Sequence, residues 1–241
     1  MTTAPTHGTT LGTTPPYGPL TGARRHGSVW AVKGHPSCPR CGAEVRPPGL
    51  WANRWTCAEH GEVTPLQPPG RPSAAYVAHL AHESALPMWV PWPLPRGWVV
   101  SALLHCADDV SGVRATATVV SGPNPLGGPA DLTLVAEEPG VGLGAWLAGL
   151  PGPDPGTDLG GTPHARFEVT GHPAPLWSLP TPPDRAAYVG ESGGRWLWAI
   201  LRPQTAGAML LEDLAVADLR DLGREADLLP YGALPPWLAA G

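Results

Sequence analysis

The sequence predicts an α+β protein: a small N-terminal cysteine module followed by a mainly antiparallel, β-rich domain with a few short helices. Two observations carry this reading. Four metal-ligand side chains fall at paired spacings between residues 38 and 60, and the chain beyond residue 97 breaks into short apolar or alternating runs bounded by Gly, Pro, Asp or Asn. A third observation excludes the main competitor. No long alternation of strand and helix patterns occurs, so a doubly wound parallel sheet is not expected.

Taken in order, residues 1–28 are rich in Thr, Pro and Gly without periodicity and read as a flexible, disordered tail. Residues 34–66 form the cysteine module. Gln67-Pro68-Pro69-Gly70-Arg71-Pro72 reads as a stiff, extended linker (67–72), because proline removes donors and fixes the backbone. The second domain spans 73–241 and opens on a helix with Ser73 as N-cap, ending before Pro87. From Pro87 to Gly97, Pro alternates with Trp and Leu, which excludes a central strand and suits an extended surface segment. Strands are expected at Gly97 to Cys106, Val113 to Val120, Asp131 to Ala136, Ala165 to Thr170, Ala186 to Gly190 and Arg195 to Leu201, with a short helix at Val141 to Leu150. Leu210 to Leu222 fits two templates. Leu211, Leu214, Asp218 and Leu222 make a helical stripe, Leu214, Val216 and Asp218 a strand alternation, and the helix is the reading adopted.

The 33 Pro and 31 Gly would signal disorder in an apolar-poor chain, but 42% hydrophobic residues and 11 Trp point to a folded, loop-rich protein. The net charge of −5 is uneven. Arg24, Arg25, Lys33, Arg40, Arg46 and Arg54 outweigh Glu44 and Glu59 across 24–60, a net of +4, which leaves −9 elsewhere. An acidic domain with a mildly basic module is poor material for tracking nucleic-acid phosphates. There is no run of signal-peptide character and no stretch of the roughly 20 apolar residues a membrane helix needs. Four cysteines, three at metal spacing, suit a reducing compartment, so a cytoplasmic protein without membrane contact is expected.

The metal pattern is Cys38-Pro39-Arg40-Cys41-Gly42 and Cys57-Ala58-Glu59-His60-Gly61, with fifteen residues between Cys41 and Cys57. Two ligand pairs, each with two intervening residues, can surround one tetrahedral ion, and the glycine after each pair permits the turn that aims backbone N–H groups at sulfur. Cys38, Cys41, Cys57 and His60 are therefore expected to hold one structural zinc in a zinc ribbon, with no position open for catalysis. So few apolar residues surround them that the module should need its metal to fold.

Other constellations have plainer readings. In His105-Cys106-Ala107-Asp108-Asp109 neighbouring strand side chains face opposite ways, so Cys106 is expected to be a buried structural thiol and not a nucleophile. His79 and His82 lie on one helix face beside Glu83 and are expected to be solvated. Glu137-Glu138 enters the turn Pro139-Gly140-Val141-Gly142-Leu143-Gly144, whose glycine spacing and acidic entry suit a tight turn better than a phosphate cradle. The tryptophans 89, 92, 98, 177, 196 and 198 are expected to pack the core and its edges.

Together, the Cys-Pro-x-Cys-Gly ribbon, Pro87-Met88-Trp89-Val90-Pro91-Trp92-Pro93-Leu94-Pro95, Ser121-Gly122-Pro123-Asn124-Pro125-Leu126-Gly127-Gly128, the Glu137 to Gly144 turn, Trp196-Leu197-Trp198 and Asp218-Leu219-Arg220 support a likeness. Over residues 34 to 236 the chain resembles an uncharacterised actinobacterial family of zinc-ribbon proteins, some labelled phosphotransacetylase. The resemblance implies zinc binding and a cytoplasmic actinobacterial setting, and it carries over no catalytic residues. The expected function is a non-enzymatic binding or regulatory module acting through protein contacts. The alternatives are a nucleic-acid-associated protein using the basic ribbon and an acyl- or phosphoryl-transfer enzyme using the glycine turn.

Overall fold

Small and β-branched residues bounded by Gly and Pro favour pleated, half-buried strands, and this pattern builds most of the protein. The computed structural model describes residues 34–50, 52–156, 159–211 and 214–239. After the short strands β1 (Thr56–Cys57) and β2 (Gly61–Glu62) of the cysteine module come helix α1 (Ala74–Glu83), β3 (Trp89–Pro91), β4 (Val99–Asp108), β5 (Gly112–Pro123), β6 (Pro129–Glu137) and α2 (Leu143–Ala148). Then follow β7 (Ala165–Val169), β8 (His172–Leu179), β9 (Ala186–Ser192), β10 (Arg195–Arg202), a 3-10 helix (Gln204–Leu211), β11 (Leu214–Asp218), α3 (Arg224–Asp227) and α4 (Pro236–Ala239). The fold is mostly β with short helices, an α+β arrangement.

Strands β3 to β11 form one curled sheet in the order β3-β11-β7-β8-β9-β10-β6-β5-β4, antiparallel except where β11 runs parallel to β7. Register fixes which side chains share a face. Leu104, Ala117, Val135, Trp198 and Val189 stand opposite one another across five strands and, with Leu143, Ala145 and Leu147 of α2, make one core. One residue along, Leu103, Leu134 and Ala199 point to the other face. There they join Tyr76, Val77 and Leu80 of α1 and Trp89 and Phe167 in the larger core. A slip of one residue would exchange the two faces, so burial on both sides holds the register.

The outer edge of β4 is covered. Gln67 N–H donates to His105 O at 3.0 Å, Ala107 N–H to Pro65 O at 3.1 Å and Val100 N–H to Pro230 O at 2.9 Å. Segment 65–70 thus lies along the strand, bridging Leu66 to Cys106 and Gly70 to Leu103. Helix α1 starts as expected, with Ser73 Oγ accepting the Tyr76 N–H at 3.2 Å.

Three readings need correction. The Pro87 to Gly97 segment, expected to lie at the surface, holds β3, an edge strand whose three residues are all buried against β11. The helix expected over Leu210 to Leu222 is instead the end of the 3-10 helix followed by β11. Strand alternation prevails because β3 and β7 flank this segment, burying Val216 and Asp218 while Ala215 stays exposed. Strand β8 was not expected at all, since Pro173 and Pro175 argue against a strand. Both lie where β8 pairs only with β7, and β9 joins from Trp177 onward, so the missing donors leave that ladder intact.

Candidate metal centre

Two turns bring four donors together. After Cys38-Pro39-Arg40-Cys41, Gly42 takes φ +74° and donates its N–H to Cys38 O at 2.8 Å, while Arg40 N–H points at Cys38 Sγ at 3.4 Å. The second turn joins β1 to β2, with Gly61 at φ +67° opposite Cys57. Both glycines occupy the left-handed region that side chains avoid. The ligand atoms of Cys38, Cys41, Cys57 and His60 all lie within 4.8 Å of one another. Cys38 Sγ and Cys57 Sγ each stand 3.7 Å from His60 Nδ1, and Cys41 Sγ stands 3.7 Å from Cys57 Sγ. Donors of a tetrahedral ion with bonds of about 2.0–2.3 Å would sit roughly 3.3–3.8 Å apart, so the four residues can bind one metal ion.

The surroundings suit a bound cation. Cys38 and Cys57 are buried beside Val45 and Val63, the small core of the module. Burial pushes the Cys38 thiol well up. Burial would also raise Cys57, but the backbone N–H groups of Glu59 and His60 and the His60 ring outweigh it and hold that thiol down. A metal ion would take the place of the protons these crowded sulfurs otherwise carry.

The centre is fastened to the sheet. Arg40, counted from sequence only as a basic residue, reaches the turn before α2 and donates to Val141 O at 3.2 Å and to Gly140 O. A Cβ on Gly142, at φ +96°, would lie 2.7 Å from Arg40 Cγ, and one on Gly42 would lie 3.0 Å from the Trp146 ring. Ser37 and Leu66 exchange backbone hydrogen bonds of 2.9 and 2.8 Å, and Arg54 donates to Ser111 Oγ at 2.7 Å. Gly142 in the Pro139 to Gly144 turn was the available signal, since a glycine permits close approach; what approaches there is Arg40 of the metal module.

A family model covers module and sheet together, matching residues 32–238. The chain belongs to the DUF6758 family, a family of unknown function. Comparison with curated proteins and with solved structures gives no match.

In this DUF6758 chain the other residues singled out from sequence separate. Cys106 is fully buried, its thiol pushed far up by burial, and it faces the core opposite to His105. Glu137 is buried, with Oε2 accepting the Leu143 N–H at 2.8 Å and both oxygens 3.3 Å from the Gly144 N–H. Burial lifts its carboxyl to about 7, against the pull of those amides and of the Trp198 indole, whose N–H falls outside hydrogen-bonding geometry. Glu138 pairs with Arg114 at 2.8 Å. Two further turn amides are also engaged, Gly140 N–H with Asp154 at 2.8 Å and Val141 N–H with Glu138 O at 3.3 Å. Trp89, Trp98 and Trp198 are buried, and Trp196 donates to Asp154 at 2.9 Å. His79, Glu83, His105, Asp108 and Asp109 converge on one groove, whereas His82 lies outside it. Arg24, Arg25 and Lys33 lie outside the described residues, as does the tail expected at 1–28.

Proposed function

We propose that this protein is a non-enzymatic protein-contact module. In this reading one structural zinc, held by Cys38, Cys41, Cys57 and His60, fixes a ribbon of residues 34–66 against the 73–241 domain. The carrying observation is the closed set of four donors within 4.8 Å. Three sulfurs and an imidazole nitrogen in a tetrahedron select zinc and leave no coordination position for substrate. Cysteines free of disulfides support a reducing, cytoplasmic setting. Among the described residues no helix is long and apolar enough to cross a membrane.

Nucleic-acid binding loses ground because Arg40 and Arg54 point at the domain and not outward. Acyl or phosphoryl transfer at the glycine turn would require a phosphate to displace amides already held by Glu137, Glu138 and Asp154. The test compares untagged wild type with the Cys38→Ser/Cys41→Ser double variant, measuring metal by mass spectrometry and then capture of partners from native lysate. One zinc per chain and a partner set that the variant loses support the reading. Turnover of a small substrate, abolished by changing Cys106 or Glu138, would overturn it.

A further inference from the structure

Where the metal module, α1 and the β4–β5 hairpin meet, the chain leaves a groove of about 590 Å³, within the size range of ligand sites. Its walls come from four segments: Trp55 from the module, Gln67 and Pro68 from segment 65–70, His79 and Glu83 from α1, and His105, Asp108 and Asp109 from the hairpin. Among the described residues no Lys or Arg lines it. Of the three carboxylates, Asp108 is partly spent, its Oδ1 accepting the Val110 N–H at 2.9 Å and the Ser111 N–H. Glu83 and Asp109 are exposed and have no partner among the described residues. His105 Nδ1 stands 3.4 Å from the Tyr76 hydroxyl, and its other ring nitrogen has no partner among the described residues. Burial and the neighbouring His79 hold His105 down to about 4, so at neutral pH it adds no positive charge, and its Nε2 is an acceptor in the tautomer whose Nδ1–H donates to the Tyr76 hydroxyl. Trp55, half-buried at the module's edge, supplies an aromatic wall.

Carboxylates on two different elements, an uncharged imidazole and an aromatic side chain make a receptor for a cationic nitrogen group. We propose that the groove receives an arginine side chain from an extended basic segment of a partner protein. The proposal rests on the protein-contact reading above and names that partner's chemistry. Arginine fits better than lysine because a planar guanidinium can stack on Trp55 while its five N–H donors serve His105 and the carboxylates together. A segment of protein fits better than a free amine because the acidic groups sit on different elements, Glu83 on α1 and Asp109 on the hairpin, and an extended chain can meet both.

The probe is a fluorescein-labelled Gly-Arg-Gly-Arg-Gly peptide titrated by anisotropy into the metal-loaded full chain at low ionic strength. Expected are saturable binding, weakening with added salt, and a loss of about tenfold in affinity in Glu83→Gln/Asp109→Asn, as suits charge-assisted hydrogen bonds. Asp109→Asn alone, at an exposed turn position, gives a smaller loss and keeps the test readable if the double variant misfolds. Unchanged affinity in the variants, equal binding of a Gly-Glu-Gly-Glu-Gly peptide, or no saturable binding overturns the proposal. Displacement by spermidine at equal concentration overturns the peptide source in favour of free amines. A lysate partner lost by Cys38→Ser/Cys41→Ser but kept by Glu83→Gln/Asp109→Asn sinks this inference and leaves the protein-contact reading standing.

Discussion

Glu137 lies at the junction of the sheet and α2, and its carboxyl is raised from 4.5 to about 7, chiefly by burial. A carboxyl whose pKa is raised on folding binds its proton more tightly in the native state. This group's contribution to stability is therefore fully present below about pH 4.5 and is lost as pH rises through 7, a change on the order of 3 kcal/mol. Glu137→Gln keeps an oxygen for the Leu143 and Gly144 N–H groups and removes the titration. Denaturant unfolding at several pH values should show a flatter decline in the variant than in wild type. The difference between the two proteins separates this effect from protonation of the metal ligands, and parallel declines would refute it. Arg40 makes a second prediction at this scale. Its two donations to backbone carbonyls join the metal turn to the turn before α2, so Arg40→Ala should cost about 1–3 kcal/mol while metal content stays at that of wild type. A variant that loses its metal would show that Arg40 supports the site itself.

Elements show most clearly which parts of the structure the sequence could disclose. The two metal turns were readable because ligand chemistry forces paired spacings with a glycine after each pair, and β4, β5, β6, β9 and β10 because burial on both faces leaves a run of apolar residues. Strand β11 and the 3-10 helix were not readable, since Leu214, Val216 and Asp218 fit two periods and only the flanking strands decide between them. Segment 65–70 reads as extended from its prolines, but no local pattern announces that it lies along β4. The groove was hidden for the same reason: His79 and His105 look unrelated until α1 is laid against the sheet. Close approach is the recurring physical signal, as Gly144 illustrates. A Cβ there would stand 2.3–2.5 Å from the Trp198 indole, which is itself fully buried. Gly144→Ala must displace Trp198 or α2 and should cost about 1–3 kcal/mol or more. Gly160→Ala offers a control, since nothing lies within 4 Å of a Cβ there, and equal unfolding midpoints for the two variants would contradict the packing argument.

For the molecule as a whole the question is how far the metal supports the sheet. Neither large core draws on the ligands, whereas the module's own core is four buried residues, two of them ligands. This core is too small to offset the entropy of ordering its chain, so the module should need a bound ion to fold. The sheet does not, but it borrows from the module the Ser37–Leu66 pair, the Arg40 and Arg54 hydrogen bonds and the wall of the groove at Trp55. At about 1 kcal/mol per net hydrogen bond, their loss should lower the stability of the sheet by a few kcal/mol without abolishing its cooperative unfolding. Treatment with a strong chelator should therefore leave one calorimetric transition, shifted to lower temperature. Hydrogen exchange should quicken at the amides of Ser37, Leu66, Gln67 and Ala107, which link the module and segment 65–70 to β4, while Val119, Leu134 and Ile200 in the strand interiors stay protected. Loss of protection throughout the sheet would mean that the metal holds the whole molecule together. Unchanged exchange at Gln67 and Ala107 would mean that segment 65–70 keeps its place on β4 by its own bonds.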